Sequence, residues 1–430
     1  MTLAHQPDSS VALASVDHGR ALPIAATLLI VLGAFRDTTI IGNELFLREI
    51  TAGICLFLAL VNLPRTIGRI SWHAMALLFG YLAVVSVGAV NATNSLFVFL
   101  QGASLFGIVL FALCWHSQPA SALGQNYRVM FVAAFYALTL VCLGSLVSVI
   151  VAPGLVYEVL YAGEVRFHGL VSKPGWMAAM GGLLAGIALF YQRLPPSIRL
   201  IAGVMGLACL GLSGARTYWA AFAVASIACV SLYRPALWRR ARLLAMLVVA
   251  LIIGFIVFKG GDNLAFIGDA ARTDSVGSLS GRTTLWEESL GAFGTRPLFG
   301  YGLTQGSEVL EDAQSPAHSL SHVEIDPREL SRRTLHNGYI QSLFDTGILG
   351  TAFYGLIVIA AILRMLLKDR ERRYAGVFFV LVFAAIGNLS ENIIYAASVM
   401  PSTFFWLIAV FALSARMMPT SRAQARPPTA

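Results

Sequence analysis

Long apolar stretches separated by short polar or charged clusters recur along the whole chain. Bounded by charge, proline or polar residues, they fall near 21–35, 49–63, 71–90, 96–114, 129–152, 174–192, 198–213, 217–233, 242–258, 338–363, 374–390 and 399–415. An apolar helix of about 20 residues spans a hydrocarbon layer, and a helix satisfies its own backbone hydrogen bonds where no water is present. The pattern predicts an all-α integral membrane protein of about 12 transmembrane helices, a single polytopic unit over 1–430. One long connection, 259–335, separates helices 9 and 10. No repeat, low-complexity segment or heptad pattern divides the chain further.

Composition narrows the class. Of 430 residues, 57% are hydrophobic and 12% charged, against roughly a quarter charged in soluble domains. That excludes an ordinary cytosolic enzyme, a disordered chain and a nucleic-acid binder of the usual kind. Residues 1–20 are polar and the next run lacks a small-residue cleavage site, so the first span is expected to stay as an anchor. Cys55, Cys114, Cys142, Cys209 and Cys229 all sit in apolar runs without metal or redox spacing. Buried thiols are expected there, with neither disulfide nor zinc.

The net charge of +8 carries topology. Of the 30 Lys and Arg, 18 fall in the tails and even-numbered connections and 12 in the odd ones, seven of these in the long loop. Short loops rich in Lys and Arg stay cytoplasmic, whereas long loops cross regardless of charge. The clusters Arg234, Arg239, Arg240, Arg242 and Arg364, Lys368, Arg370, Arg372, Arg373 therefore place both termini in the cytoplasm. The long loop, the segment 153–173 and the turn at 214–217 face the other side, which in a double-membraned bacterium is the periplasm.

Basic residues stand close to membrane ends on that outward face: Arg166 and Lys173 in VRFHGLVSKPGW, Arg216 in LSGARTYWAAF and Arg282 in LSGRTTLWEESL. An arginine bordered by apolar sequence faces a cavity or partner, or snorkels to the interface. Guanidinium is a rigid fork of donors suited to phosphate oxygens, so anion capture is the functional alternative. His336, where the long loop enters the tenth span, is either a helix-end residue or a general base able to take a proton from a hydroxyl. Gly347, Thr351 and Gly355 recur every four residues, the pattern of small-residue helix packing. Asp345, inside an apolar span, requires a basic partner or a hydrogen-bonded polar site. Glu324 with Asp326, and His318 with His322, read as loop residues rather than ligands, so no metal and no cofactor is expected.

Together these residues resemble the O-antigen ligase family, the WaaL-like polytopic membrane glycosyltransferases. That family also includes O-antigen polymerases and protein O-oligosaccharyltransferases. The family pattern, His followed by Asn, Ser or Gln, nine residues, then Gly-x-x-Gly-Thr, is complete here as His336, Asn337, then Gly347 to Gly350 and Thr351. Ser213-Gly-Ala-Arg216 is similar to a Ser-x-Ser-Arg turn, Gly281-Arg282 through Trp286 to Gly-Arg-x-x-x-Trp, and Pro297 to Gly302 to a Pro-hydrophobic-x-Gly-x-Gly segment. RFHGLVSKPGW is similar to an Arg-Phe-x-Gly segment that usually continues into Asn-Pro, where this chain has Lys173-Pro174. The likeness covers roughly 160–415.

The resemblance implies a GT-C type enzyme of the bacterial inner membrane that moves a glycan from undecaprenyl pyrophosphate to lipid A-core at the periplasmic face, inverting the sugar carbon without a metal. It implies that Arg216 and Arg282 hold the pyrophosphate, with Arg166 and Lys173 as further substrate-binding residues, and that His336 activates the acceptor hydroxyl. The expected partners are the polyprenyl-linked donor, lipid A-core and membrane lipids, with no nucleic acid. A polymerase or a protein O-oligosaccharyltransferase differs only in acceptor. From another class, a polyprenyl-lipid transporter would need the basic residues but not His336.

Overall fold

A computed structural model describes residues 18–39, 44–90, 92, 95–159, 165–233, 282–304, 335–369, 373–389, 391–392 and 399–414. The apolar runs fold as helices: α1 (His18–Arg36), α2 (Glu44–Thr66), α3 (Trp72–Val90), α4 (Ser95–His116), α5 (Ala120–Val151), α6 (Pro174–Phe190), α7 (Pro196–Leu212) and α8 (Arg216–Tyr233). After these come α9 (Arg282–Phe293), α10 (Gly338–Lys368), α11 (Ala375–Gly387) and α12 (Met400–Ser414). Prolines open α6 and α7 at their first positions, where the missing N–H costs nothing. Every predicted span but the ninth coincides with one of these helices. The ninth, 242–258, lies outside the described residues, as do His318, His322, Glu324 and Asp326. Helix α9 belongs to the long connection.

By length and composition five stretches can cross a membrane: Ile50–Arg69, Trp72–Val90, Val98–His116, Ala122–Val151 and Gly338–Lys368. α1, α6, α7, α11 and α12 include shorter apolar helices. α12 is apolar all round and every residue of it is buried, packed against α1, α3, α4, α6, α10 and α11. A helix without a polar face belongs in a protein core or in hydrocarbon, out of contact with water. α6 and α7 approach until a Cβ at Gly181 would lie 2.6 Å from the Gly206 carbonyl oxygen, which is close packing through small residues. The outer surface is apolar as well: Phe57, Leu96, Ile150, Leu200 and Leu367 are all largely exposed. An apolar core inside an apolar rim fits hydrocarbon as the solvent, and the protein is a helical membrane protein.

Two regions depart from a purely helical reading. Within 153–173, Tyr157–Val159 (β1) pairs antiparallel with Val165–Phe167 (β2), in the register Tyr157 with Phe167 and Glu158 with Arg166. The β-branched and aromatic residues there follow Pro153 and precede Gly169, and burial rises along β2 from exposed Val165 to buried Phe167. The Thr39 N–H donates to the Leu170 carbonyl at 2.6 Å, so the end of α1 fastens this segment. The second departure is inside α10. Gly347 has φ 67° and ψ −170°, which breaks the helix. The stripe of Gly347, Thr351 and Gly355 is therefore not continuous helix packing, and nothing lies within 4 Å of a Cβ built at Gly355.

Candidate active site where the long loop meets the tenth helix

The break at Gly347 is filled by the segment Pro297–Gly302. The Ile348 N–H donates to the Pro297 carbonyl at 2.8 Å and the Leu349 N–H to the Leu298 carbonyl at 3.4 Å. In the other direction, the Phe344 and Asp345 carbonyls accept the N–H groups of Tyr301 at 3.2 Å and Gly302 at 2.8 Å. Backbone groups freed by the break are thus re-satisfied, as burial requires. Gly300 and Gly347 both have positive φ, and a Cβ on either would overlap backbone atoms of the other strand of this junction: Asp345 for Gly300, Leu298 for Gly347. Two motifs that read separately along the chain are two halves of one backbone lock. Gly347→Ala is expected to destabilise the protein by more than the roughly 1 kcal/mol of left-handed strain alone. A lowered thermal midpoint of the detergent-solubilised protein checks it.

A small aromatic core lies over the lock. Tyr301 stacks on Phe344 at 4.7 Å between ring centroids, and Leu335, Trp286, Phe293 and Ile340 pack around them. The Trp286 indole N–H donates to the Leu335 carbonyl at 2.7 Å, joining α9 to the residue before His336. Arg282 is the first residue of α9, one turn before Trp286.

His336 sits in the left-handed region at φ 50°, a conformation that costs of order 1–3 kcal/mol for a non-glycine residue and persists only where neighbours impose it. The neighbours are specific. Asn337 caps α10, its side chain accepting from the Tyr339 N–H at 3.0 Å and the Ile340 N–H at 3.1 Å. The Gly338 N–H donates to the Asn388 carbonyl at 2.8 Å, and the buried Asn388 amide donates to the Tyr354 hydroxyl at 2.9 Å. The end of α11 therefore fixes the start of α10.

Three residues beyond Asn388, Glu391 reaches His336, with Nδ1 3.2 Å from Oε2. The imidazole side chain is 33% exposed and the Glu391 side chain 14%. A carboxylate only accepts, so the neutral imidazole carries its proton on Nδ1 and leaves the Nε2 lone pair unprotonated. Glu391 also lies over the first turn of α6: a Cβ at Gly175 would stand 3.1 Å from Oε1. A helix N-terminus favours a carboxylate there.

The other predicted site residues occupy the same end of the bundle. Lys173 is the N-cap residue of α6, its ammonium 5.6 Å from the centroid of the Trp176 ring. Arg216 is half-buried and opens α8, after a turn in which Gly214 has φ 67°. α8 packs on α11, with Tyr218 beside Phe383 at 5.9 Å and Phe222 beside Phe379 at 5.7 Å, so the N-terminus of α8 adjoins the end of α11 that leads to Glu391. Arg166 is half-buried in β2, on the segment leading into α6. Lys173, Arg216 and Arg282 each stand at the N-terminus of a helix, whose dipole attracts anions, whereas the first N–H groups of α10, just after His336, are held by Asn337 and Asn388. Glu391 links the start of α6 to His336, and Trp286 with Leu335 links α9 to it.

Sequence reasoning missed Glu391, Asn388 and the pair Arg36 and Asp37. Arg36 and Asp37 are both buried at the end of α1 and paired at 2.8 Å, and Asp37 accepts the Met400 N–H that opens α12. The available signal was an acid in a short connection between two apolar runs. The Asp345 requirement is met by hydrogen bonds: its Oδ2 accepts from Gln341 Nε2 at 2.9 Å and from the Thr304 N–H at 2.7 Å.

Fold and site define a polytopic helical membrane protein with a histidine, a carboxylate and several basic residues gathered at one end of its bundle. Residues 201–355 match the family described as O-Antigen ligase, and the resemblance read from His336 to Thr351 is to that family. The exopolysaccharide production protein ExoQ of Rhizobium meliloti (strain 1021) is 26% identical over 222 residues, 49% of this chain and 45% of that protein. The chain therefore spans a little under half the length of that relative. The matched region contains Arg216, Arg282 and His336, while Arg166, Lys173 and Glu391 lie outside it.

Proposed function

We propose that this chain is a lipopolysaccharide O-antigen ligase, transferring a glycan from undecaprenyl pyrophosphate to lipid A-core. The observation that carries the reading is His336, held by Glu391 through Nδ1 at the mouth of the long loop, within the matched region. In the proposed step the acceptor hydroxyl attacks the anomeric carbon of the donor. His336 Nε2 takes the hydroxyl proton, a new carbon–oxygen bond forms with inversion, and the sugar–phosphate bond breaks. Undecaprenyl pyrophosphate leaves with the bonding electrons. Arg216 and Arg282 offset the charge that grows on its bridging oxygen, with Arg166 and Lys173 contributing to substrate binding. These guanidinium groups supply the charge stabilisation in a metal-independent scheme.

The proposed setting is a GT-C type protein of about 12 spans in the bacterial inner membrane, with both termini cytoplasmic, the 259–335 loop periplasmic and the active site on that side. Donor and acceptor are both lipids, which suits a site at the rim of the bundle. The likeness to an exopolysaccharide production protein favours one second reading, a polymerase whose acceptor is another polyprenyl-linked glycan.

The test is transfer by purified protein in EDTA, with polyprenyl-pyrophosphate glycan and lipid A-core, comparing wild type with His336→Ala. Glycan on lipid A-core with wild type alone is the expected result. Longer polyprenyl-linked chains with no lipid A-core product would replace the ligase reading with the polymerase one.

A further inference from the structure

Resting on the reading of His336 as the base, we propose that Gln341 and Asp345 form a positioning relay that sets the backbone of His336. Asp345 is wholly buried and one turn beyond Gln341 on α10. An ionised carboxylate offers only acceptors, so the amide facing it must present its NH2. Gln341 does so, Nε2 to Asp345 Oδ2 at 2.9 Å, which leaves its Oε1 to accept the Leu335 N–H at 2.9 Å. The carboxylate thereby decides which way the amide points, and the amide decides where Leu335 sits.

Leu335 is gripped on both sides. Its N–H is held by Gln341 and its carbonyl by Trp286, and the next residue is the left-handed His336. Asp345 Oδ2 also accepts the N–H of Thr304, itself at φ 66° just after the lock segment. One buried oxygen therefore ties the 297–304 segment to the residue preceding the base. The hydrogen bonds that link Asp345 and Gln341 to His336 run through the backbone of Leu335, and their proposed effect on transfer follows that route. If they served packing alone, apolar residues of equal volume would replace both at little cost, because burying a carboxylate is expensive.

The experiment measures kcat and donor KM for the full chain with Gln341→Leu, in the wild-type and the His336→Ala backgrounds. In the wild-type background kcat is expected to fall roughly 10- to 100-fold with donor KM changed less than about two-fold, the effect of a small misplacement of a reacting group. In the His336→Ala background the further change is expected to stay under about two-fold, since residues acting through one another are not additive. Gln341→Glu gives a second readout should Gln341→Leu not fold. It keeps an acceptor for Leu335 but sets a second carboxylate against Asp345, and the two can be accommodated only while sharing a proton. Its rate relative to wild type should fall as pH rises, and adding Asp345→Asn should remove that pH dependence. Equal losses in both backgrounds, a KM effect without a kcat effect, or a pH-independent Gln341→Glu ratio overturns the relay. His336→Ala transferring at the wild-type rate instead sinks the base on which the relay rests.

Discussion

Replacing His336 with alanine is expected to lower the proposed glycan transfer by roughly 10²- to 10⁴-fold, the usual contribution of a general base, while the donor remains bound. The expectation follows from the proton inventory of the pair. Glu391 fixes the Nδ1 proton, so Nε2 is the nitrogen left to accept one. Removing the imidazole removes that acceptor without disturbing Asn337, whose side chain caps α10 by itself. Glu391→Gln retains a carbonyl oxygen for the Nδ1 proton and should lose less than Glu391→Ala, which frees the ring to turn. Single-turnover rates with saturating donor, compared across the three variants, check the order. An alanine at 336 that transfers as fast as wild type would end the base assignment, and a transporter would tolerate that change.

Loss of Arg216 or Arg282 is expected to be the second large effect, on the order of 10²- to 10³-fold in kcat each, as for removal of one preorganised donor to a developing oxyanion. The charge on a departing pyrophosphate grows only as the sugar bond breaks, so cationic donors beside it would act mainly in the transition state. Arg216 opens α8 and Arg282 opens α9, so each backbone position is set by a helix rather than by a loop. Arg166, on a two-stranded segment, should matter less. Lysine at 216 or 282 restores the charge but not the two-pronged geometry, and should recover only part of the rate. Rates of purified variants with one defined donor decide this, and Arg216→Ala equal to wild type would refute its role.

Much of the arrangement was legible along the chain. Apolar runs bounded by charge marked nearly every described helix, because lipid demands continuous apolar surface and self-satisfied backbone over a fixed length. His336 and Gly347 to Thr351 stood out by spacing, and Arg216 by being a cation bracketed by apolar residues. The role of Gly347 did not show in the spacing. A four-residue repeat of small residues looks the same whether it packs a helix or breaks one, and only the backbone of Leu298 pressed against Gly347 distinguishes them. The hairpin at 157–167 was also hidden, its three paired residues on each strand being too few to stand out between two spans.

What the sequence by itself determined is the class, a helical membrane protein, and the positions of the histidine and arginines proposed for chemistry. These follow from composition and from spacing within single segments, where each residue constrains its near neighbours. The tertiary structure alone decided that Glu391 orients His336 from 55 residues away, that Asp37 closes α1 onto α12, and that Asp345 is satisfied by Gln341 and Thr304. Each of these is a buried polar group whose partner is supplied by packing. Local sequence can show that such a group needs a partner, but only the assembled helices determine which one it meets.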